Sequence, residues 1–472
     1  MTLETGTPAR AAGAQPSAGI AGPLLVALGA LVAAAAWLAG APAVAFAGRW
    51  LAIAGLTLVG LRKRSLTTWI LVSMAVGAEI GHDWPAVGTQ ARLLSLIFLR
   101  LIKTIIAPLL FATLVVGIAG HSSLRQVGRM GVKALVYFEV ITTLALFIGL
   151  AAINLSQAGV GVTPPSKSEN ADVQGQRQSA SEVILHAFPE NVAKSVAEGQ
   201  VLQIVVFSVL FAIALALISE ERRRPLLTLA ESLAETMFKF TSLVMYFAPI
   251  GVGAAIAYTV GHMGLGILFN LFKLLATLYV ALTIFLLLVL LPVALFARIN
   301  VRRFAHAIAE PVSIAFATTS SEAALPLAMK RMEQFGVPRS IVAFVMPTGY
   351  SFNLDGSTLY LSLASIFVAQ AAGIELSLGQ QLGIVFTLML TSKGVAGVPR
   401  ATLVILLGTA ASFGLPEWPI LAILGIDELM DMARTSVNVI CNCLATAVIA
   451  RWEGELDDAP RTGAIGSAEP VG

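Results

Sequence analysis

The sequence predicts an all-α, polytopic membrane protein. Of its 472 residues, 57% are hydrophobic and only 12% are charged, and the mean hydropathy is +0.85. Soluble domains carry roughly twice this share of charge. The run 274–296 contains no charged residue and is longer than the roughly 20 residues with which a helix crosses a bilayer. The composition therefore excludes a disordered chain and argues against a soluble globular enzyme.

The apolar segments define the predicted elements in chain order. Residues 1–21 are expected to be a disordered tail, and two apolar segments within 22–65 are expected to form an extra helical hairpin. Further apolar segments lie at 66–82, 93–119, 130–156, 200–218, 227–258 and 264–297. Residues 157–199 are predicted to be a polar external loop with a short helix beginning near Ser181. Residues 452–472 form a C-terminal tail.

Charge places these elements relative to the membrane. The basic residues cluster in alternate loops, at 62–64, 125–133, 222–224 and 298–303. The positive-inside rule predicts that these loops and both termini are cytoplasmic, in a multi-pass protein of the inner membrane. The net charge of +3 does not indicate nucleic-acid binding. Cys441, Cys443 and the five histidines show no metal-ligand spacing, so we expect no cofactor.

Polar breaks concentrate in the last third of the chain. They are ATTSSEAALP at 317–326, PTGYSFNLDGS at 347–357 and TSKGVAGVP at 391–399. Within a bilayer, irregular backbone is tolerated only where it is buried in protein or lines a cavity. Short apolar segments interrupted by Gly and Pro are the best indication, from sequence, of a transporter's substrate site.

A polar stripe follows these breaks in the apolar segment 419–451. Its members are Asp427, Asp431, Arg434, Asn438 and Asn442. On a helix, their spacings of 4, 3, 4 and 4 residues keep them within an arc of roughly 80°. Arg434 can bind a carboxylate bidentately and Asp431 can bind an ammonium group, which together suit an acidic amino acid. Alternatively, Asp431 and Arg434 only neutralise each other.

Several motifs together resemble one family. They are TTSSEAALP, PTGYSFNLDGSTLY, TSKGVAGVP and GIDELMDMARTSVNV, joined by VVGIAG and YFEVITT. Over about 66–455 the chain resembles the dicarboxylate/amino acid:cation symporter family, the glutamate transporters, and is most similar to bacterial proton/glutamate symporters. The resemblance implies a homotrimer of elevator-type transporters.

The resemblance also implies a division of the chain. Residues 66–300 would be mainly scaffold, and 301–451 mainly a transport domain. The transport domain would contain two re-entrant hairpins, a broken helix interrupted at 351–355, and the last helix. Their expected ranges are 301–335 for hairpin 1, 339–371 for the broken helix, 376–415 for hairpin 2 and 417–451 for the last helix.

Site residues are implied by position in the same way. Asp431 would bind the substrate amino group and Arg434 its side-chain carboxylate. The remaining substrate contacts would be Ser320, Ser321, Ser357, Val398, Thr435 and Asn438. The cation or proton positions would be Gly349, Ser351, Asn353, Asp355, Ser392 and Asn442, with Na⁺ at Asn353 and Asp355 as the metal alternative.

Three departures from sodium-coupled members concern the coupling ion. Those members carry Asp at the position of Asn442, and Tyr and Thr oxygens where this chain has Phe138 and Ile141. Hard cations prefer oxygen ligands, so we expect H⁺ rather than Na⁺ as the driving ion. The proton-carrying Glu of mammalian members aligns with Leu361. Glu139 is a candidate proton carrier, or equally a structural hydrogen-bonding group.

Alternatives in other classes remain open at this point. Asp355 competes with Glu139 as proton carrier, and Arg400 leaves the substrate identity open between acidic amino acids and C4-dicarboxylates. Sodium coupling of amino acid transport is the other alternative. An enzyme is not expected, because Ser320-Ser321-Glu322 has no His or Lys motif around it. A channel would be distinguished by its failure to concentrate substrate. The expected partners are a small-molecule substrate and the lipid bilayer.

Overall fold

The computed structural model describes residues 21–63, 65–119, 126–162, 188–198, 201–392 and 401–457. Every regular element within these ranges is a helix. Six of the described helices are long and apolar enough to cross a membrane, and a bent pair makes a seventh candidate. The predicted all-α, multi-pass membrane fold is therefore confirmed. The tail up to residue 20, the helix start near Ser181 and the site residue Val398 lie outside the described residues.

The helices follow the apolar segments closely. In the first part of the chain they are Ala21–Leu38, Pro42–Lys63, Leu66–Asp83, Pro85–Gln90, Arg92–Ala119, Gln126–Ser156, Val192–Glu198, Val201–Leu217, Glu220–Met245 and Ala248–Met263. In the second part they are Gly266–Phe285, a π-helical turn Leu286–Leu290, Leu291–Phe296, Val301–Thr318, Ser321–Phe335, Arg339–Phe352, Asp355–Ala371, Leu378–Thr391, Ala401–Ser412 and Trp418–Glu453.

The segment predicted as one span at 227–258 is not one helix. Glu220–Met245 and Ala248–Met263 meet at an angle of 52°. Pro249 lies in the first turn of the second helix. Proline lacks an N–H group and suits the first turn of a helix better than its interior. The predicted apolar span is therefore bent, and the two helices together remain one candidate span.

The first two helices pack backbone to backbone. A Cβ atom on Gly29 would stand 2.4 Å from the Ala52 nitrogen, and one on Gly48 would stand 2.6 Å from the Ala33 nitrogen. Small residues allow such close approach within membranes. Arg49 then connects this hairpin to the helix Leu66–Asp83, because its guanidinium lies 2.8 Å from a Glu79 oxygen and 2.6 Å from an Asp83 oxygen.

The remaining helices pack in two groups. In the first group, Leu66–Asp83 packs on Ala248–Met263, and Arg92–Ala119 packs on both helices of the bent pair and on Val201–Leu217. In the second, the last helix Trp418–Glu453 lies among Val301–Thr318, Ser321–Phe335, Arg339–Phe352 and Asp355–Ala371. Gln126–Ser156 packs mainly on Asp355–Ala371 and so lies with the second group, although it precedes residue 300.

Local chemistry explains the two breaks in the second group. Thr319 has a left-handed backbone with φ 51°, and the Ser320 hydroxyl accepts a hydrogen bond from the Ala323 N–H, which starts the next helix. Asn353 and Leu354 separate Arg339–Phe352 from Asp355–Ala371. The Asn353 N–H donates to the Gly349 carbonyl at 2.7 Å and closes the first of these helices.

Candidate functional site

Arg434 is the centre of a buried charge cluster on the last helix. Its side chain is fully buried, and its Nη1 and Nε atoms donate to Asp427 Oδ1 and Asp431 Oδ1, both at 2.9 Å. Nη2 donates to Asp427 Oδ2 at 3.4 Å. The guanidinium carbon lies 4.3 Å from the centre of the Tyr360 ring. The ring and Asp427 therefore hold the cation in one orientation.

Asp431 is only partly satisfied in this cluster. Its Oδ1 atom accepts from Arg434 and, at 2.8 Å, from the Thr435 hydroxyl. Its Oδ2 atom is buried and has no hydrogen-bonding partner among the described residues. A buried carboxylate oxygen without a donor is costly. The pairing of Asp431 with Arg434, which the sequence offered as a structural alternative, is present but leaves this oxygen unused.

Guanidinium donors are also left over. A guanidinium carries five N–H groups, and among the described residues three of those of Arg434 donate, to Asp427 and Asp431. Two donors and one unsatisfied carboxylate oxygen thus lie within one side-chain cluster. Such a cluster can bind a ligand that carries both an anionic and a cationic group.

The break in the helix 339–371 brings further predicted residues together. The Ser357 N–H donates to Asn438 Oδ1 at 3.2 Å, and Asn438 Nδ2 donates to Ser357 Oγ at 2.9 Å. Gly356 allows this approach, because a Cβ atom there would stand 2.4 Å from the Arg434 carbonyl oxygen. Ser357 and Asn438 therefore orient each other beside Arg434.

The structure describes only some of the predicted site residues on the two hairpins. Both helices that flank Ser320 and Ser321 pack on the last helix, and Ser321 is buried. Ser392 is buried at the end of Leu378–Thr391, and its hydroxyl has no partner among the described residues. The tip of hairpin 2, which includes Val398 and Arg400, lies outside the described residues.

The predicted cation positions form a second buried cluster. Asp355 is fully buried and accepts from the Thr142 hydroxyl at 2.9 Å. In the amide orientation that gives both side chains partners, Asn353 Nδ2 donates to the two Asp355 oxygens at 3.0 and 3.2 Å. Asn442 is also fully buried. The Ser351 backbone belongs to Arg339–Phe352.

Glu139 lies apart from this cluster. Phe138, Ile141 and Thr142 are on the buried face of Gln126–Ser156, and Thr142 contacts Asp355. Glu139 is exposed on the same helix. Its surface position does not distinguish it as a coupling residue, and its role stays a prediction.

Three residues of the two clusters had no role assigned from the sequence. Asp427 belongs to the polar stripe, but the sequence did not reveal that it binds Arg434. Tyr360 and Thr142 were not identified at all. Both lie in motifs that carry the family resemblance, STLY and YFEVITT, so position within those motifs was the available signal.

Comparison with known proteins identifies the family. Residues 66–452 match the model of the sodium:dicarboxylate symporter family. The chain belongs to this family. The predicted family is thereby confirmed, and the charge cluster lies within the matched residues of this symporter family. The N-terminal hairpin Ala21–Leu38 and Pro42–Lys63 precedes them.

Three relatives in the symporter family illustrate its range. The proton/glutamate-aspartate symporter of Escherichia coli (strain K12) is 43% identical over 413 residues, which are 84% of this chain and 94% of that protein. The proton/sodium-glutamate symport protein of Geobacillus stearothermophilus is 41% identical over 84% of this chain and 97% of its own. The C4-dicarboxylate transport protein of Solibacter usitatus (strain Ellin6076) is 40% identical over 87% of this chain and 97% of its own.

Proposed function

We propose that the protein is a secondary active symporter that takes up acidic amino acids, L-glutamate or L-aspartate, together with protons. The unsatisfied Oδ2 atom of Asp431, next to a guanidinium with unused donors, is the observation that carries this proposal. An amino acid with a second carboxylate supplies an ammonium group for Asp431 Oδ2 and an anionic group for the Arg434 guanidinium.

In this proposal the ligand completes the Arg434 cluster without dismantling it. The ammonium group binds Asp431 Oδ2, and the side-chain carboxylate takes the two free N–H groups of Arg434. Asp427 and Tyr360 keep the guanidinium in place. Backbone N–H groups at the hairpin tips, near Ser320, Ser321 and Val398, donate hydrogen bonds to the α-carboxylate. Thr435 and the Ser357–Asn438 pair are the remaining contacts.

C4-dicarboxylate transport is the second candidate, because relatives named for it are about as similar as those named for glutamate. A C4-dicarboxylate has no ammonium group. It would leave Asp431 Oδ2 without a donor and would bring negative charge towards it. The Asp431 environment therefore favours the amino acid.

Protons are the proposed driving ion because this chain lacks a carboxylate and two oxygen-bearing side chains at positions where sodium-coupled members carry them. Asn442, Phe138 and Ile141 provide an amide or carbon at positions where sodium-coupled members provide oxygens. Glu139 and Asp355 are the two candidate carriers of the proton. Ser392, Gly349, Ser351 and Asn353 are the further candidate coupling positions.

We further propose an elevator movement within a homotrimer of the inner membrane, with cytoplasmic termini. Gln126–Ser156 and Gly266–Phe285 pack on the broken helix and the last helix, so we assign them to the moving body. The static scaffold then consists of Leu66–Asp83, Arg92–Ala119, Val201–Leu217 and the bent pair. This division assigns part of 66–300 to the moving body.

Uptake into proteoliposomes tests the proposal. We expect labelled L-glutamate to accumulate under an inward pH gradient without sodium, and not under a sodium gradient alone. Excess unlabelled L-aspartate should compete strongly and succinate weakly. Arg434→Ala should abolish accumulation, while Arg331→Ala, at an exposed ion pair on hairpin 1, should not. Accumulation of succinate but not glutamate would support the second candidate instead.

A further inference from the structure

The oxygens at the helix break are already occupied by neutral donors. The carbonyl oxygens of Asn353 and Asn438 both accept from one atom, Asn442 Nδ2, at 3.3 and 3.0 Å. The carbonyl of Gly349 accepts from the Asn353 N–H at 2.7 Å. The asparagines involved are all buried. The amide of Asn442 therefore lies where backbone oxygens from two helices converge.

Converging oxygens within a membrane need a donor or a cation. Unsatisfied carbonyls at that depth are costly, and a hard cation satisfies them through its charge. A carboxamide NH₂ offers two N–H donors and satisfies two carbonyls without any charge. We propose that the Asn442 amide takes the place of a cation here and makes this site independent of Na⁺.

The packing around Asn442 supports this substitution. A Cβ atom on Gly349 would stand 2.0 Å from Asn442 Oδ1, so the amide oxygen packs directly on the Gly349 backbone. The ring of Phe138 borders the same position, 3.5 Å from that Cβ atom. The neighbouring Asp355 oxygens accept from Thr142 and from the Asn353 amide. Among the described residues, the Asn353 and Asn438 carbonyls and the Asp355 carboxylate accept from neutral donors, and position 442 offers a sodium ion an amide instead of a carboxylate, so the residues present suit neutral donors better than Na⁺.

Asn442 is then a residue that determines ion specificity. Asn442→Asp keeps the size and shape of the side chain but replaces two donors by an acceptor-only carboxylate. The two carbonyls would lose their donor and face a negative charge. The variant should therefore recover its stability by binding a cation. The consequence for transport rests on the proposed function, but cation binding can be measured without substrate.

Thermal unfolding of the purified protein provides the test, with tryptophan fluorescence as the readout. Melting temperatures are compared in sodium, potassium and choline chloride at constant ionic strength. For the natural chain we expect the same value in all three salts. For Asn442→Asp we expect a lower value in choline and a rise with Na⁺ that saturates, as mass action requires.

Asn154→Asp is the matched control. Asn154 Nδ2 also donates to the carbonyl four residues earlier, that of Leu150, at 2.9 Å, but it lies outside both buried clusters. This variant should melt at the same temperature in all three salts. Similar behaviour of Asn442→Asp, folded but unresponsive to Na⁺, would overturn the proposal.

If Asn442→Asp does not fold, the melting temperature of the natural chain in Na⁺ tests the proposal. A saturable stabilisation of the natural chain by Na⁺ would show that a cation binds despite the amide, and would overturn the proposal. Absence of glutamate uptake together with an unchanged melting temperature in Na⁺ would instead contradict the proposed function alone. The two failures are thereby distinguished.

Discussion

At the scale of single residues, the two buried acids that contact Arg434 on the last helix differ in how many of their oxygens bind it. Asp427 is paired with the Arg434 guanidinium through both of its oxygens, whereas within the part of the chain that the structure describes Asp431 uses only one. A buried charge that loses its partner is destabilised by about 3–5 kcal/mol. This difference indicates different roles for the two acids. Asp427 holds the guanidinium, and Asp431 is available to a ligand.

Asp431→Asn should separate amino acids from dicarboxylates. Loss of the ammonium partner should lower kcat/KM for L-glutamate on the order of a hundredfold, corresponding to about 3 kcal/mol. Binding of succinate, which has no ammonium group, should fall much less. Uptake of both labelled substrates measures the difference. Glu310→Gln, an exposed acid on hairpin 1, is the control, and unchanged glutamate uptake by Asp431→Asn would contradict the assignment.

Tyr360 should act through its ring more than through its hydroxyl. Tyr360→Phe keeps the ring against Arg434 and loses only the 3.3 Å hydrogen bond to Asp427, so KM for glutamate should rise by less than about tenfold. Tyr360→Leu also loses the cation–π contact, which is worth roughly 2 kcal/mol when desolvated. The two KM values give the comparison. An equal effect of both variants would show that the hydroxyl dominates.

At the scale of elements, the site depends on two helices that meet backbone to backbone. The second half of the broken helix, Asp355–Ala371, is almost entirely buried and contacts the last helix at Gly356. This approach lets Ser357 and Asn438 exchange two hydrogen bonds. The helix break thus determines the distance between the two elements that carry most of the predicted substrate contacts.

Gly356→Ala should disrupt this contact. The added Cβ atom would stand 2.4 Å from the Arg434 carbonyl oxygen, and overpacking of this kind costs about 1–3 kcal/mol. We expect a lower melting temperature and weaker glutamate binding. Gly379→Ala is the control, because the nearest atom to its Cβ is 4.0 Å away. An equally stable Gly356→Ala protein would show that the helices can separate without consequence.

At the scale of the whole molecule, an ion pair joins the two groups of helices. Lys103 on Arg92–Ala119 lies 2.5 Å from Glu417, the residue before the last helix. Both side chains are substantially exposed, so the pair contributes little stability. It does mark a place where the proposed scaffold and moving body touch.

A cross-link at this place should stop transport. In Lys103→Cys/Glu417→Cys, a thiol-specific bifunctional reagent should abolish proton-driven uptake, because the two bodies could no longer move past each other. Arg331→Cys/Glu310→Cys joins two helices of the same hairpin and should transport after cross-linking. Cys441 and Cys443 are fully buried and are not expected to react. Full uptake by the cross-linked first pair would contradict the elevator proposal.

Local sequence patterns predicted most of the helices, their breaks and the polar stripe of the last helix. Apolar runs of membrane-spanning length, and breaks rich in Ser, Gly and Pro, determined the helices and their interruptions because both signals depend on neighbouring residues alone. Helical periodicity likewise placed Asp427, Asp431 and Arg434 on one face. The bend before Ala248 was missed, since a single proline in an apolar run does not show where a helix ends.

Only the tertiary structure decided which groups became partners. Thr142 reaches Asp355 and Tyr360 reaches Asp427 across 213 and 67 residues of sequence, and no local periodicity encodes which helix faces meet. The sequence by itself determined a family of membrane symporters and the side chains available to a site. Packing determined that Asp431 Oδ2 has no partner among the described residues and that the Asn442 amide donates to two carbonyls, because hydrogen-bonding partners depend on how helices approach in space.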